Sequence, residues 1–166
     1  TLSSSSAASD VYKRQRRAQG ADASLTGARA AYIGGVPVSS NTLSAKRYGF
    51  KPSGTMAHSW VQAFDSEYEA FKTYAEIYPE NCVLLIDTYD TINSGLPNAM
   101  KVFKEVLKPK GLSGGVRIDS GDLAYLSKEV RKILDENGFT DTKIVASNSL
   151  DEFKINSLTA QGAKID

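Results

Sequence analysis

The chain has 166 residues, 41% of them apolar and 23% charged, a composition typical of a globular protein. No apolar run approaches the roughly 18 residues that a membrane-spanning helix needs. The net charge of +1 makes no electrostatic case for a nucleic-acid or membrane-surface partner, although single Lys or Arg residues can still hold phosphate locally.

The opening "TLSSSSAASDVYKRQ" starts without Met, is rich in Ser and Ala and shows no sustained period. It has no apolar core, so it is not a secretory signal. Residues 1–15 read as a non-native or disordered leader ahead of one α/β domain over 16–166. Four short, β-branched apolar runs follow, bounded by Gly, Pro, Asn or Asp: "RAAYIGGV" (29–36), "CVLLIDT" (82–88), "GGVRIDS" (114–120) and "TKIVASN" (142–148). Each predicts a strand. "SGTMAHS" (53–59) is weaker and reads as a strand end or the loop after one. Cys82 is the single cysteine. It reads as a small core residue, and an internal disulfide is impossible, which fits a reducing cytoplasm.

Helical patterns separate these runs. "SEYEAFKTYAEIY" sets Tyr68, Phe71, Ala75 and Tyr78 three or four apart, and Ser66 with Glu69 reads as a capping box. "PNAMKVFKEVLKPKG" starts with Pro97 in a first turn and stops before Pro109 and Gly111. "GDLAYLSKEVRKILDENG" places Leu123, Leu126, Val130, Ile133 and Leu134 on one face, with Gly138 as its stop. "LDEFKINSLTAQG" predicts a further helix with Leu150, Phe153 and Leu158 inward. The chain stops at "GAKID", with "AKID" (163–166) starting a fifth strand, which suggests a fragment.

Alternating strands and helices predict an α/β fold with parallel strands. Strands apolar throughout have both faces covered, as in a barrel or a doubly wound sheet, and the pattern leaves both open. His58, Asp87, Asp119 and Asn148 end successive runs and lie 29, 32 and 29 residues apart, about one βαβ unit each. Such folds bind ligands at the carboxyl ends of their strands, so these four residues are expected around one mouth. An imidazole beside a carboxylate is oriented and becomes a better nucleophile or base. Arg117 and Asp119, two apart on a strand, share a face. There the arginine could hold a phosphate or carboxylate while the aspartate takes hydroxyl groups. Gly121 allows a sharp turn. Asp87 and Asp90 read equally well as loop and cap residues, and for Ser120 and Asp122 helix capping is the favoured reading.

Taken in order, "RRAQG" (16–20), "ARAAYIGG" (28–35), "YGFKPSGTMAHSW" (48–60), "LLIDTYDT" (84–91), "VRIDSGDL" (116–123) and "LDEFKI" (150–155) resemble the nicotinate phosphoribosyltransferases. The resemblance runs from Arg16 to the end. It implies part of an irregular α/β barrel of the type II phosphoribosyltransferase kind, incomplete at both ends. The implied reaction joins nicotinate to phosphoribosyl diphosphate, giving nicotinate mononucleotide and diphosphate for NAD synthesis. ATP is the co-substrate, Mg²⁺ assists, and a phosphohistidine links the two reactions.

By motif match, His58 corresponds to the phosphate-accepting histidine and Asp87 to the carboxylate that orients it. Arg117 and Asp119 match the phosphoribosyl site, with the aspartate near the ribose hydroxyls and Ser120 and Gly121 beside them. Ser147 and Asn148 in "ASNS" match a position contacting ribose or phosphate. Arg16 stands where the family places an arginine near the pyridine ring. The resemblance also implies a homodimer. Two alternatives stand: a relative using nicotinamide or quinolinate, and an inactive piece that only binds or assembles.

Overall fold

The computed structural model describes residues 20–166, so the leader expected over residues 1–15 and Arg16 lie outside the described residues. The chain divides into two compact units: one runs up to Thr55 and includes Ser149–Ser157, the other comprises Met56–Asn148 and Leu158–Asp166.

In the first unit, helix α1 (Ala21–Ile33) corrects the strand expected at 29–36. Its sequence "ADASLTGARAA" is rich in alanine, the best helix former, and local propensity carries the helix into the apolar run. The chain leaves it through Gly34 and Gly35, the latter at φ 98°. Strand β1 (Val38–Ser39) pairs in parallel with β2 (Lys51–Pro52). Between them lies α2 (Thr42–Tyr48), whose cap Asn41 accepts from the Ser44 N–H at 2.9 Å.

The second unit holds the larger core. Helix α3 (His58–Gln62) and helix α4 (Glu67–Ile77) precede β3 (Val83–Leu85). Ser66 caps α4 by accepting from the Glu69 N–H, and its hydroxyl donates to the Glu69 carboxylate. A helical run then extends over 91–107: a π turn, the α-helix α5 (Leu96–Val102), and a second π turn. It starts six residues before Pro97 because Asp90 accepts from the N–H groups of Ile92 and Asn93. The Asn93 side-chain amide also donates to Asp90 at 3.0 Å, and it, ahead of the two backbone N–H groups, holds the carboxyl below its ordinary range.

Strand β4 (Gly115–Ile118), helix α6 (Leu123–Glu136) and strand β5 (Lys143–Ala146) follow. Strands β3, β4 and β5 lie side by side, all parallel, with Leu84 opposite Val116 and Val116 opposite Ile144. Neighbouring residues of a strand face opposite sides. Leu84, Leu85 and Ile86 are all fully buried, so helices cover both faces, as the continuous apolar runs predict. Val130 and Leu134 of α6 are buried, and Leu123, Leu126 and Ile133 pack against the same core. Arg131 braces the return from α6 to β5, donating to the carbonyls of Thr142 and Phe139.

Two further expectations are corrected. Helix α7 (Glu152–Ala160) buries none of its residues, and Phe153 is 76% exposed. Phe153 and Leu158 lie roughly 140° apart around a helix, too far to share one inward stripe. Leu150, just before α7, is buried as expected. No strand forms at 163–166; the Asp166 N–H donates to the Ile144 carbonyl and its carboxylate accepts the Ile144 N–H, at 2.9 and 2.8 Å. The side chain takes the bond that a ladder partner would make.

Candidate active site

The site grows from the carboxyl ends of the three parallel strands. One ladder bond beyond β3, from the Ile86 N–H to the Arg117 carbonyl, brings Asp87 level with Asp119. A corresponding bond from the Ser147 N–H to the Ile118 carbonyl brings Ser147 level with Asp119. The equivalent positions are therefore Asp87, Asp119 and Ser147. This corrects Asn148, expected there by spacing, to one residue beyond the register. The chain turns at that point, with Asn148 at φ 94° and Ser149 at φ 50°, left-handed values that side chains other than glycine seldom adopt.

Asp87 is the centre of the cluster, with a side chain only 1% exposed. A carboxylate so buried needs donors, and it has three. Oδ1 meets His58 Nε2 at 3.2 Å, while Oδ2 accepts the Asp119 N–H at 2.9 Å and the Ser120 hydroxyl at 2.5 Å. Asp87 thus lies just past β3 with its carboxylate engaged by three groups, while Asp90 caps the π turn. Gly95 makes this placement possible: a Cβ there would stand 1.9 Å from the Ile86 carbonyl oxygen, one residue before Asp87.

His58 reaches Asp87 as the first residue of α3, after the loop 53–57, and not from the end of a strand in the three-stranded sheet. Its side chain is 37% exposed. One ring nitrogen is engaged with the buried carboxylate, and Nδ1 is the nitrogen on the other side of the ring.

Arg117 and Asp119 do share a face, with Nη2 3.6 Å from Oδ1. Nη1 donates to the Met56 carbonyl at 3.0 Å, tying the arginine to the segment that enters α3. Asp119 also accepts from the Ser147 hydroxyl. Helix α6 is capped by Asp122, which accepts the Tyr125 N–H at 3.0 Å. Ser120 is therefore not the cap, since its hydroxyl is given to Asp87. Gly121, at φ 79°, makes the turn between them. Among the described residues, no three His, Cys, Asp or Glu side chains gather to hold a metal ion. A cavity of about 930 Å³ opens elsewhere, lined by Lys104, Phe103, Gly114 and Thr142. Those residues precede β4 and β5, at the end of the sheet away from this cluster.

Residues 7–164 match the nicotinate phosphoribosyltransferase (NAPRTase) family. The chain belongs to that family. Nicotinate phosphoribosyltransferase of Bacillus subtilis (strain 168) is 56% identical over 151 residues, which cover 91% of this chain and 30% of that protein. Nicotinate phosphoribosyltransferase pncB2 of Mycobacterium tuberculosis (strain CDC 1551 / Oshkosh) is 45% identical over 151 residues, covering 91% and 32%. The crystal structure of human nicotinic acid phosphoribosyltransferase superposes with a TM-score of 0.75 at 29% identity, covering 91% of this chain and 41% of that one. The chain thus spans about a third of the length of the nicotinate phosphoribosyltransferases it matches in sequence.

Against that family background, two parts of the site were not legible as motifs. The Met56 carbonyl, the acceptor for Arg117, belongs to the backbone and leaves no mark in a residue pattern. Glu67 is 6% exposed and accepts from the Ser94 hydroxyl at 2.6 Å and Asn98 Nδ2 at 3.3 Å. It ties α4 to the π turn that carries Gly95. The signal available was an acidic residue at the first turn of α4, which reads as ordinary charge at a helix start.

Proposed function

We propose that this chain carries the phosphate-accepting and phosphoribosyl-binding part of a nicotinate phosphoribosyltransferase. The observation that carries the reading is the buried Asp87 carboxylate, shared between His58 and the Asp119–Ser120 turn. With Nε2–H donated to Asp87, the lone pair of His58 is on Nδ1. Nδ1 attacks the γ-phosphorus of ATP, an N–P bond forms, the bond from phosphorus to the bridging oxygen breaks, and ADP leaves with that electron pair. The ring then bears positive charge opposite the carboxylate, which stabilises it. Water later cleaves the N–P bond and releases phosphate.

In the transfer reaction the bond from ribose C1 to diphosphate breaks and the nicotinate ring nitrogen takes its place. The centre between is oxocarbenium-like, so the protein's task is positioning and electrostatic stabilisation. Asp119 takes the ribose hydroxyls, with Arg117 holding it in place, and Gly121, Ser147 and Asn148 line the sugar phosphate. Arg16 meets the pyridine carboxylate. Mg²⁺, when bound, would supply charge neutralisation to the reacting phosphates beside Asp87 and Asp119. The whole protein is an α/β barrel enzyme, a homodimer working in the cytoplasm.

The test uses the full-length protein and ATP labelled on its γ-phosphate. An acid-labile label is expected on the wild type and none on His58→Asn. A His58→Asn chain that keeps the label overturns the role assigned to His58.

A further inference from the structure

We infer that Ser120 is a positioning residue that couples the phosphorylation state of His58 to the binding of phosphoribosyl diphosphate. The inference rests on the phosphohistidine reading above and adds to it the physical link between the two halves of the reaction. Two tethers join the histidine to the Arg117–Asp119 pair. The first runs through Asp87: one oxygen holds His58, and the other holds the Asp119 N–H and the Ser120 hydroxyl at 2.9 and 2.5 Å. The second runs through Arg117, which donates to the Met56 carbonyl at 3.0 Å and lies 3.6 Å from the Asp119 carboxylate. Met56 stands two residues before His58. The tethers close a ring of contacts between the phosphate acceptor and the Asp119 carboxylate, one side through Asp87 and the other through Arg117 and Met56.

Charge placed on the His58 ring draws the Asp87 carboxylate toward it and changes what its second oxygen can offer to the turn at Asp119. Of the two donors to that oxygen, the backbone N–H is removed only by proline, which would also take away the Asp119 carboxylate. The Ser120 hydroxyl can be removed without altering any charge. A hydrogen bond to a buried charged group is among the stronger ones. Its loss leaves only the Asp119 N–H to carry the state of His58 into the 119–121 turn, so the benefit that ATP gives to substrate binding falls. Linkage is reciprocal: the same loss weakens the effect of bound phosphoribosyl diphosphate on ATP affinity.

The experiment is done on the full-length protein. Label on His58 from γ-labelled ATP is measured beside the KM for phosphoribosyl diphosphate with and without ATP, in wild type, Ser120→Ala and Ser120→Thr. Ser120→Ala is expected to take the label, while the ratio of the two KM values drops by about tenfold. Ser120→Thr, which keeps the hydroxyl, retains most of the ratio. A labelled Ser120→Ala chain with the wild-type ratio overturns the inference, even if both KM values rise together as general loosening of the turn would make them. If the alanine chain does not fold, Ser120→Cys supplies the same comparison with a weak donor of similar size. A wild-type chain that takes no label overturns the phosphohistidine reading itself, a result distinct from an intact ratio in a labelled variant.

Discussion

Asp87 holds two positions at once: a covalent neighbour of the core residue Ile86, and an acceptor for three donors from segments about thirty residues away on either side. On the proposed reading, the contact between Asp87 Oδ1 and Nε2 leaves Nδ1 of His58 as the nitrogen that takes phosphate. Phosphate is therefore expected on Nδ1, and ³¹P–¹⁵N NMR of the phosphorylated full-length protein would identify the isomer; label on Nε2 would contradict this geometry. Asp87→Asn keeps the shape but removes the charge facing the phosphorylated ring. The labelling rate should fall by about ten- to a hundredfold, the range expected for a hydrogen bond to a charged group. Rapid-quench labelling measures it.

Among the elements, the helical run over 91–107 does the positioning. Asp90 caps its first π turn, Glu67 braces that turn from α4, and Gly95 lets it lie against the carbonyl of Ile86. A π turn inside a longer helix adds a residue per turn and is often found beside functional groups. Gly95→Ala would force backbone apart from backbone, since its Cβ would meet the Ile86 carbonyl oxygen at 1.9 Å. Overpacking of this kind costs about 1–3 kcal/mol or more. The full-length variant should show a lowered melting temperature together with slower labelling of His58, because the displaced residue adjoins Asp87. A variant that melts like the wild type and labels normally would show that the helix start can move without Asp87. The Ser66–Glu69 capping box and the stop of α6 at Gly138 were legible in the sequence because they are set by residues close together along the chain. The strand expected at 29–36 was not, because an apolar run of that length suits either a helix or a strand, and here alanine propensity decided it.

At the largest scale, the parallel sheet of the second unit, covered on both faces, makes an apolar core in which Cys82 is 2% exposed. Burial pushes its thiol from the ordinary value of 9.0 up to about 12. Below about pH 9 the thiol is protonated in both folded and unfolded chains and does not bias folding. From about pH 9 to 12 the unfolded chain releases the proton while the folded one retains it, so stability falls as pH rises through that window. Cys82→Ala should remove this part of the alkaline loss, as followed by melting temperature against pH. At pH 8 a thiol reagent should modify the peptide carrying Cys82 about a hundredfold more slowly in the folded protein than in denaturant, measured by mass spectrometry.

Read alone, the amino-acid order determined the α/β class, the three parallel strands β3 to β5, the Ser66–Glu69 capping box and the polar residues Asp87 and Asp119 at the ends of their apolar runs. Those properties follow from local propensity, hydrophobic period and the chemistry of polar groups set at the ends of apolar runs. Only the tertiary structure decided that Ser147 and not Asn148 stands level with Asp119, that Ser120 serves Asp87 while Asp122 caps the helix, and that Arg117 is held by the Met56 carbonyl. Each of these depends on strand register or on a hydrogen bond between segments distant in sequence. Shifting a pairing by one residue changes such contacts while leaving the spacing of the motifs untouched.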